Sequence, residues 1–216
     1  MSKVRVHNFG VSLDGFATGE GQTMKEPFGH AGQRLLAQFM ATRHFAEMHG
    51  GDDPRGTMGV DDAFAARWAP GIGAEIMGRN KFGPQRGPWT DEEWKGWWGD
   101  DPPFHTPVFV LTHHPRPTLE MEGGTTFHFV DASPAEALAL ATEAAGGLDV
   151  RIGGGPSTVR QFLEADLVDY LHVILSPIVL GRGVPLWDGL EGLEARFDIE
   201  AVSSPSGVTH LTFARR

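Results

Sequence analysis

The segment Val150-Arg-Ile-Gly-Gly-Gly-Pro-Ser-Thr-Val159 decides the fold. β-Branched side chains suit a pleated strand. Proline suits the first turn of a helix, where its missing N–H would be unpaired anyway. The segment therefore predicts a strand, a tight turn and a helix, the junction from which parallel sheets are built. Glycines let a backbone approach a bulky anion closely, and the free amides of a helix start point toward it with the helix dipole behind them. Gly153, Gly154, Gly155, Pro156, Ser157 and Thr158 are thus candidates for holding a phosphate or pyrophosphate. The spacing does not meet the Gly-x-Gly-x-x-Gly pattern, and no Gly-Lys-Ser/Thr of a P-loop follows. A plain strand-to-helix turn without a ligand is the other reading of the same residues.

Similar junctions recur on either side. Ala74–Met77 reads as a buried strand entering Gly78, with Arg79, Asn80 and Lys81 just beyond it. Val108–Thr112 is an apolar strand ending at Thr112, His113 and His114. Cations and hydroxyls at such turns suit phosphates, and open α/β sheets bind ligands at the carboxyl ends of their strands. Ser133-Pro-Ala-Glu136 is a capping box with proline at the first helical position, and it predicts a helix to Gly146–Gly147. The helix after Gly155 is expected to run to about Ala165, and a strand from Tyr170 to Leu180. Phe197–Val202 and Val208–Ala214 predict an antiparallel hairpin. Thr125–Asp131 predicts a further strand.

The first half reads less regularly. Val4–Leu13 predicts a strand with an irregularity near Gly10, ended by an Asp14–Gly15 turn. Residues 17–33 predict a long loop, a length often associated with function. Leu35, Leu36, Phe39, Met40 and Arg43 predict one helix over about 33–48, stopped by Gly50–Gly51. A polar connector spans Asp52–Thr57, and Asp61–Trp68 predicts a short helix. Thr90 and Glu93 predict a capping box, with Trp94, Trp97 and Trp98 on one face of the helix it starts. The sum is an α/β chain, read as one domain over residues 1–216. About eight strands form a mostly parallel sheet with helices on both faces and an antiparallel edge.

Composition narrows the function. The net charge is −10 and no basic run occurs, which argues against nucleic-acid binding. An acidic chain must hold an anionic ligand by local devices rather than by its overall field. A membrane helix needs about 20 apolar residues, and no such run is present. With no cysteine there is no disulfide and no thiolate metal site. Adjacent histidines on an extended chain point opposite ways, so His113–His114 predicts no metal either. No signal-peptide pattern is read, and a cytoplasmic location is expected. The tryptophans suit either packing of a helix or stacking on a heterocycle. His172 reads as a satisfied sheet residue, and Asp61–Asp62 as charges favoured at a helix start.

Taken together, Ser12-Leu-Asp-Gly15, Met77-Gly-Arg-Asn-Lys-Phe82, Ile152-Gly-Gly-Gly-Pro-Ser-Thr158 and the stretch Leu167–Trp187 resemble the dihydrofolate reductase-like superfamily. Within it they are most similar to the reductase domain of the bifunctional riboflavin-biosynthesis deaminase-reductase. The resemblance implies a three-layer sandwich, NADPH as cofactor with NADH not excluded, and often a homodimer. It places the pyrophosphate near Gly154 and Gly155, the adenosine phosphate near Gly78, Arg79, Thr112 and His113, and Asp14 toward the substrate. It implies hydride transfer to a small heterocycle or ribosyl-pyrimidine, similar to 5-amino-6-(5-phosphoribosylamino)uracil reductase. Alternatives are a dihydrofolate reductase-type pterin reductase, for which the first long helix offers only Glu47, and a nucleotide-binding protein without chemistry. The chain departs from the pattern at Tyr170, where the family usually has Glu, and at Asn80–Lys81. It also has His113 where an arginine often grips the 2′-phosphate. Residues 17–68 are longer than in the bifunctional enzyme and are expected to rebuild the substrate pocket.

Overall fold

The computed structural model describes residues 2–49 and 56–216. Among the described residues there are eleven strands: β1 Val4–Ser12, β2 Phe16–Thr18, β3 Ile72–Gly78, β4 Pro107–Leu111, β5 Leu119–Glu120, β6 Thr126–Val130, β7 Asp149–Gly154, β8 Tyr170–Ser176, β9 Val184–Pro185, β10 Phe197–Ser203 and β11 Thr209–Arg215. Nine form one sheet in the order β10-β11-β8-β1-β7-β3-β4-β6-β5, and β2 pairs with β9 apart from it. The six strands from β8 to β6 run parallel. β11 lies antiparallel to β8 and to β10, so the terminal hairpin makes one edge. The ninth strand, β5, is two residues long and was not read from the sequence, since so short a stretch has no period.

Alternation along the strands builds two different faces. Val4 and Val6, Ala74 and Ile76, and Val150 and Ile152 point into one apolar core. Helices α5 Pro134–Ala144 and α6 Pro156–Glu164 cover it, through Ala137 and Ala141 on the first and Val159, Phe162 and Leu163 on the second. The capping box of α5 forms as expected: Glu136 N–H donates to Ser133 Oγ, and Glu136 Oε2 accepts from Ser133 N–H at 2.9 Å. The alternate residues Arg5, His7, Glu75, Arg151 and His172 take the other face. Farther along that face, Phe82, Phe104, Phe127 and Phe129 form an aromatic core.

Several elements differ from expectation. The 33–48 helix is broken into a 3-10 turn Gly29–Leu35, a short α1 Ala37–Met40 and α2 Arg43–Met48. Leu35 C=O turns to accept from Ser176 Oγ (2.9 Å), and Thr42 caps α2 by accepting from Phe45 N–H. Gly50–Gly51, and the 52–55 part of the connector, lie outside the described residues. The helix expected over Asp61–Trp68 is α3 Val60–Ala65, which stops three residues short of Trp68. No helix forms over 90–99. Gln85 Oε1 takes the Thr90 N–H, Trp94 Nε1 donates to Phe82 C=O (3.0 Å), and Gly96 sits at φ 99°. α4 Arg79–Phe82 follows β3 directly. β8 ends at Ser176, because Pro177 cannot donate to a ladder. The irregularity of β1 falls at Asn8 (φ 52°), where its register against β8 shifts, two residues before Gly10.

Candidate active site

The three glycines are glycine for three different reasons. A Cβ on Gly153 would run into Glu75 and Lys81 below it. Gly154 sits at φ 114°, and a Cβ there would lie 3.1 Å from the Phe9 ring. Gly155 has an ordinary negative φ and nothing within 4 Å of an added Cβ. Among the described residues nothing crowds the place its side chain would take, and the space above it opens into a cavity. Gly155 is also the N-cap of α6, with no side chain capping the helix start. Pro156 has no N–H, so the Ser157 and Thr158 amides remain as donors.

Beneath this turn lies a buried ion cluster. The Glu75 carboxylate is fully buried in β3; it pairs with Arg151 of β7 and accepts from Lys81 Nζ at 3.1 Å. Arg151 also donates to Trp68 C=O (2.8 Å) and stacks on the Trp68 ring at 3.5 Å. Burial pulls the Lys81 ammonium down to about 7. Arg151 already neutralises Glu75, so this downward pull prevails over the carboxylate. Arg79 lies over the Trp89 ring at 3.7 Å, and its Nε and Nη2 are buried with no partner among the described residues. Burial, then the neighbouring Arg86, lower its pKa. At the next strand end, Thr112 is buried, and His113 is exposed with Nδ1 2.9 Å from Asp131 Oδ1.

These strand ends share one cavity of about 1300 Å³. Gly78, Arg79, Asn80, Lys81, Thr112, His113, Gly153, Gly155, Pro156, Ser157 and Thr158 all line it. Gly154 does not, and neither does Asp14. Asp14 accepts from Ser12 Oγ at 2.6 Å and from the amides of Leu180 and Gly181 at 3.1 and 2.6 Å. Its carboxyl is lowered to about 2, chiefly by the Ser12 hydrogen bond. It is a turn residue that clasps the segment after β8, ionised and outside the cavity. Trp97 and Trp98 line the cavity, whereas Trp94 packs.

Sequence reasoning missed the polar chain under β1. Asn8 N–H donates to His172 Nδ1 (3.1 Å), His172 Nε2 meets His210 Nδ1 (2.9 Å), and His210 Nε2 meets Asp61 Oδ1 (2.7 Å). An accepting Nδ1 on His172 puts its proton on Nε2, so His210 accepts at Nδ1 and donates to Asp61. Burial, then His210, pulls His172 down to about 2 and keeps it neutral. The available signal was Asn8 itself, a residue that tolerates positive φ set amid strand formers.

This sheet order, with its antiparallel terminal hairpin and strand-end cavity, is the dihydrofolate reductase-like fold. The RibD C-terminal domain family matches residues 3–208, and the chain belongs to that family. It is similar to a putative riboflavin biosynthesis protein from Shewanella sp. PV-4, with 22% identity, a TM-score of 0.57 and 100% and 99% of the two chains covered. It is similar to dihydrofolate reductase from Enterococcus faecalis complexed with NADP(H), with 14% identity, a TM-score of 0.51 and coverage of 100% and 96%. It also matches the diaminohydroxyphosphoribosylaminopyrimidine deaminase/5-amino-6-(5-phosphoribosylamino)uracil reductase of Thermotoga maritima at 12% identity and a TM-score of 0.52. All of this chain is covered there, but only 57% of that longer one. No curated protein matches the chain.

Proposed function

We propose that the chain is a reductase that binds a reduced nicotinamide dinucleotide, NADPH by expectation, and reduces a small heterocyclic substrate. The observation that carries this reading is Gly155, where an added Cβ would meet nothing within 4 Å and would stand in the open space of the cavity. The surroundings fit such a body. Arg79 has donors without partners, Lys81 and Arg86 add charge, and the first amides of α6 face a pyrophosphate. Family membership and the E. faecalis neighbour, whose complex contains NADP(H), point the same way.

The dinucleotide supplies a hydride when bound. The chain supplies position and charge. Gly153, Gly155, Pro156, Ser157 and Thr158 hold the pyrophosphate, with Gly154 behind them shaping the turn outside the cavity lining; Gly78, Arg79, Asn80 and Lys81 flank it; Thr112 and His113 meet the adenosine end. Asp14, expected to face the substrate, is not retained as proton donor, because three donors hold it ionised away from the cavity. The dihydrofolate reductase-type alternative loses its carboxylate, since Glu47 pairs with Arg43 at 2.9 Å and does not line the cavity. A non-catalytic binder remains the second reading, favoured by the lack of any carboxylate from residues 7–49 in the cavity lining. A cytoplasmic homodimer completes the proposal, and light scattering tests the dimer.

The first experiment is titration with NADPH and with NADH, followed by quenching of tryptophan fluorescence. Saturable binding supports the cofactor reading, and no binding of either overturns it. NADPH oxidation with a panel of pterins and pyrimidines then separates a reductase from a binder.

A further inference from the structure

The cavity has two halves of opposite character. Its cations, Arg79, Lys81 and Arg86, all come from the stretch after β3. The other half is built by β1 and the chain to residue 49, with Phe9, Phe28, Leu36, Phe39, Met40 and Phe45 as its main apolar surface. No Lys or Arg of residues 7–49 lines it, although Lys25, Arg34 and Arg43 lie in that stretch; Arg86 of the other half meets this wall at Gln22, whose Oε1 accepts from Arg86 Nη2 at 3.3 Å. His7 and His49 are its only ionisable lining groups among the described residues. Burial, then Arg5, pulls His7 down to about 3, so it stays neutral. His49 has its Nδ1 2.9 Å from the Phe45 carbonyl.

From this asymmetry we infer that the part of the cavity walled by Phe39, Met40 and Phe45 takes an uncharged planar ring system carrying no phosphate, sulfonate or carboxylate. A single drug-sized ligand fills about 300–1,000 Å³, and the whole cavity holds about 1300 Å³. That leaves room for a second ligand beside one held at the glycine turn. An anionic group pressed against Phe39, Met40 and Phe45 would lose its water and gain no cation from residues 7–49. Flat rings suit these aromatic walls, by stacking and by edge contacts. The inference rests on the proposed function only in calling this ligand the hydride acceptor. It separates this chain from an enzyme whose substrate carries a phosphoribosyl group, the kind of substrate named for the Thermotoga maritima neighbour.

The test uses a matched pair, 1,4-naphthoquinone and 1,4-naphthoquinone-2-sulfonate, which differ by one anionic group. The chain has no cysteine for either to modify. Binding is measured by calorimetry on the full chain, with and without saturating NADP+, and uridine 5′-monophosphate is a third ligand. The neutral quinone is expected to bind at least tenfold tighter than the sulfonate and the nucleotide. Met40→Lys places a cation in the wall and is expected to reverse that preference, while Phe39→Ala weakens the neutral quinone and leaves NADP+ affinity unchanged. Equal or tighter binding of the sulfonate or the nucleotide by the unaltered chain overturns the inference. So does failure of all three while NADP+ binds. Failure of NADP+ alone, with the quinone preference intact, overturns the cofactor reading and leaves this one standing.

Discussion

One face of the sheet is held by apolar contact alone, the other by an aromatic cluster together with paired charge. Under α5 and α6 the contacts are methyl and ring against methyl and ring, and any residue of similar volume would serve. On the opposite face Glu75, Arg151, His172 and His210 are buried, and each is tolerable only because a named partner meets it. The apolar face is forgiving in composition. The polar face is intolerant, and it underlies the cavity. Gly153 shows the connection, since Glu75 and Lys81 occupy the space its side chain would need.

The largest effect expected from this contrast is at Glu75. Glu75→Ala strands the Arg151 guanidinium and should cost about 3–5 kcal/mol in urea unfolding. Replacing both partners, Glu75→Met with Arg151→Met, should recover most of it. A cost below about 1 kcal/mol for the single change would break the comparison. Phe162→Ala on the other face should cost a similar amount through a cavity, with no rescue from a second site.

Acid should separate the faces next. His172 is held near 2 in the folded chain, against an ordinary imidazole value of about 6.5. The unfolded chain therefore takes up a proton that the folded chain refuses. Stability is full above about pH 6.5 and declines as the pH falls toward the folded value. Between pH 7 and 5 this one imidazole should remove about 2 kcal/mol, and His172→Gln should flatten the profile by that amount. A profile unchanged in the variant would refute the assignment.

The two glycines sharpen the comparison further. Gly153→Ala should lower stability by about 1–3 kcal/mol through overpacking. Gly155→Ala should stay within about 0.5 kcal/mol of the parent yet lose dinucleotide affinity about tenfold, near 1.4 kcal/mol. The reverse pattern would mean that Gly155 serves the fold alone. The smallest effect is expected at Glu47, whose pair with Arg43 is exposed on α2. Glu47→Ala should change stability by less than about 1 kcal/mol and leave reductase turnover unchanged; a large loss of turnover would revive the dihydrofolate reductase-type reading.

What the sequence disclosed follows the same division. α5, α6, the terminal hairpin and the glycine turn were legible because local rules and tertiary structure agree there: a capping box, a proline at the first helical position, a run of alternation. The 33–48 and 90–99 stretches were misread because distant groups take the local donors and acceptors. Ser176 claims the Leu35 carbonyl from 141 residues away, and the Trp94 indole claims that of Phe82. Of the cavity lining, the strand-end residues were legible in the sequence as strand ends. The Glu75–Arg151 pair and the His172–His210–Asp61 chain were not, since residues 76, 38 and 149 positions apart carry no mutual signal in one sequence.

The position of β1 bears on how the chain is made. It lies inside the sheet between β7 and β8, and the side chains that receive the Lys3 amide just before it and the Val4 amide at its start belong to Asp149 and Asp169, 146 and 165 positions later. At about 5–20 residues per second, a ribosome takes on the order of ten to thirty seconds to deliver those partners. Through that interval β1 has both hydrogen-bonding edges open. The nascent chain is therefore a natural client for a holding chaperone until β8 emerges, and faster translation would shorten its exposure.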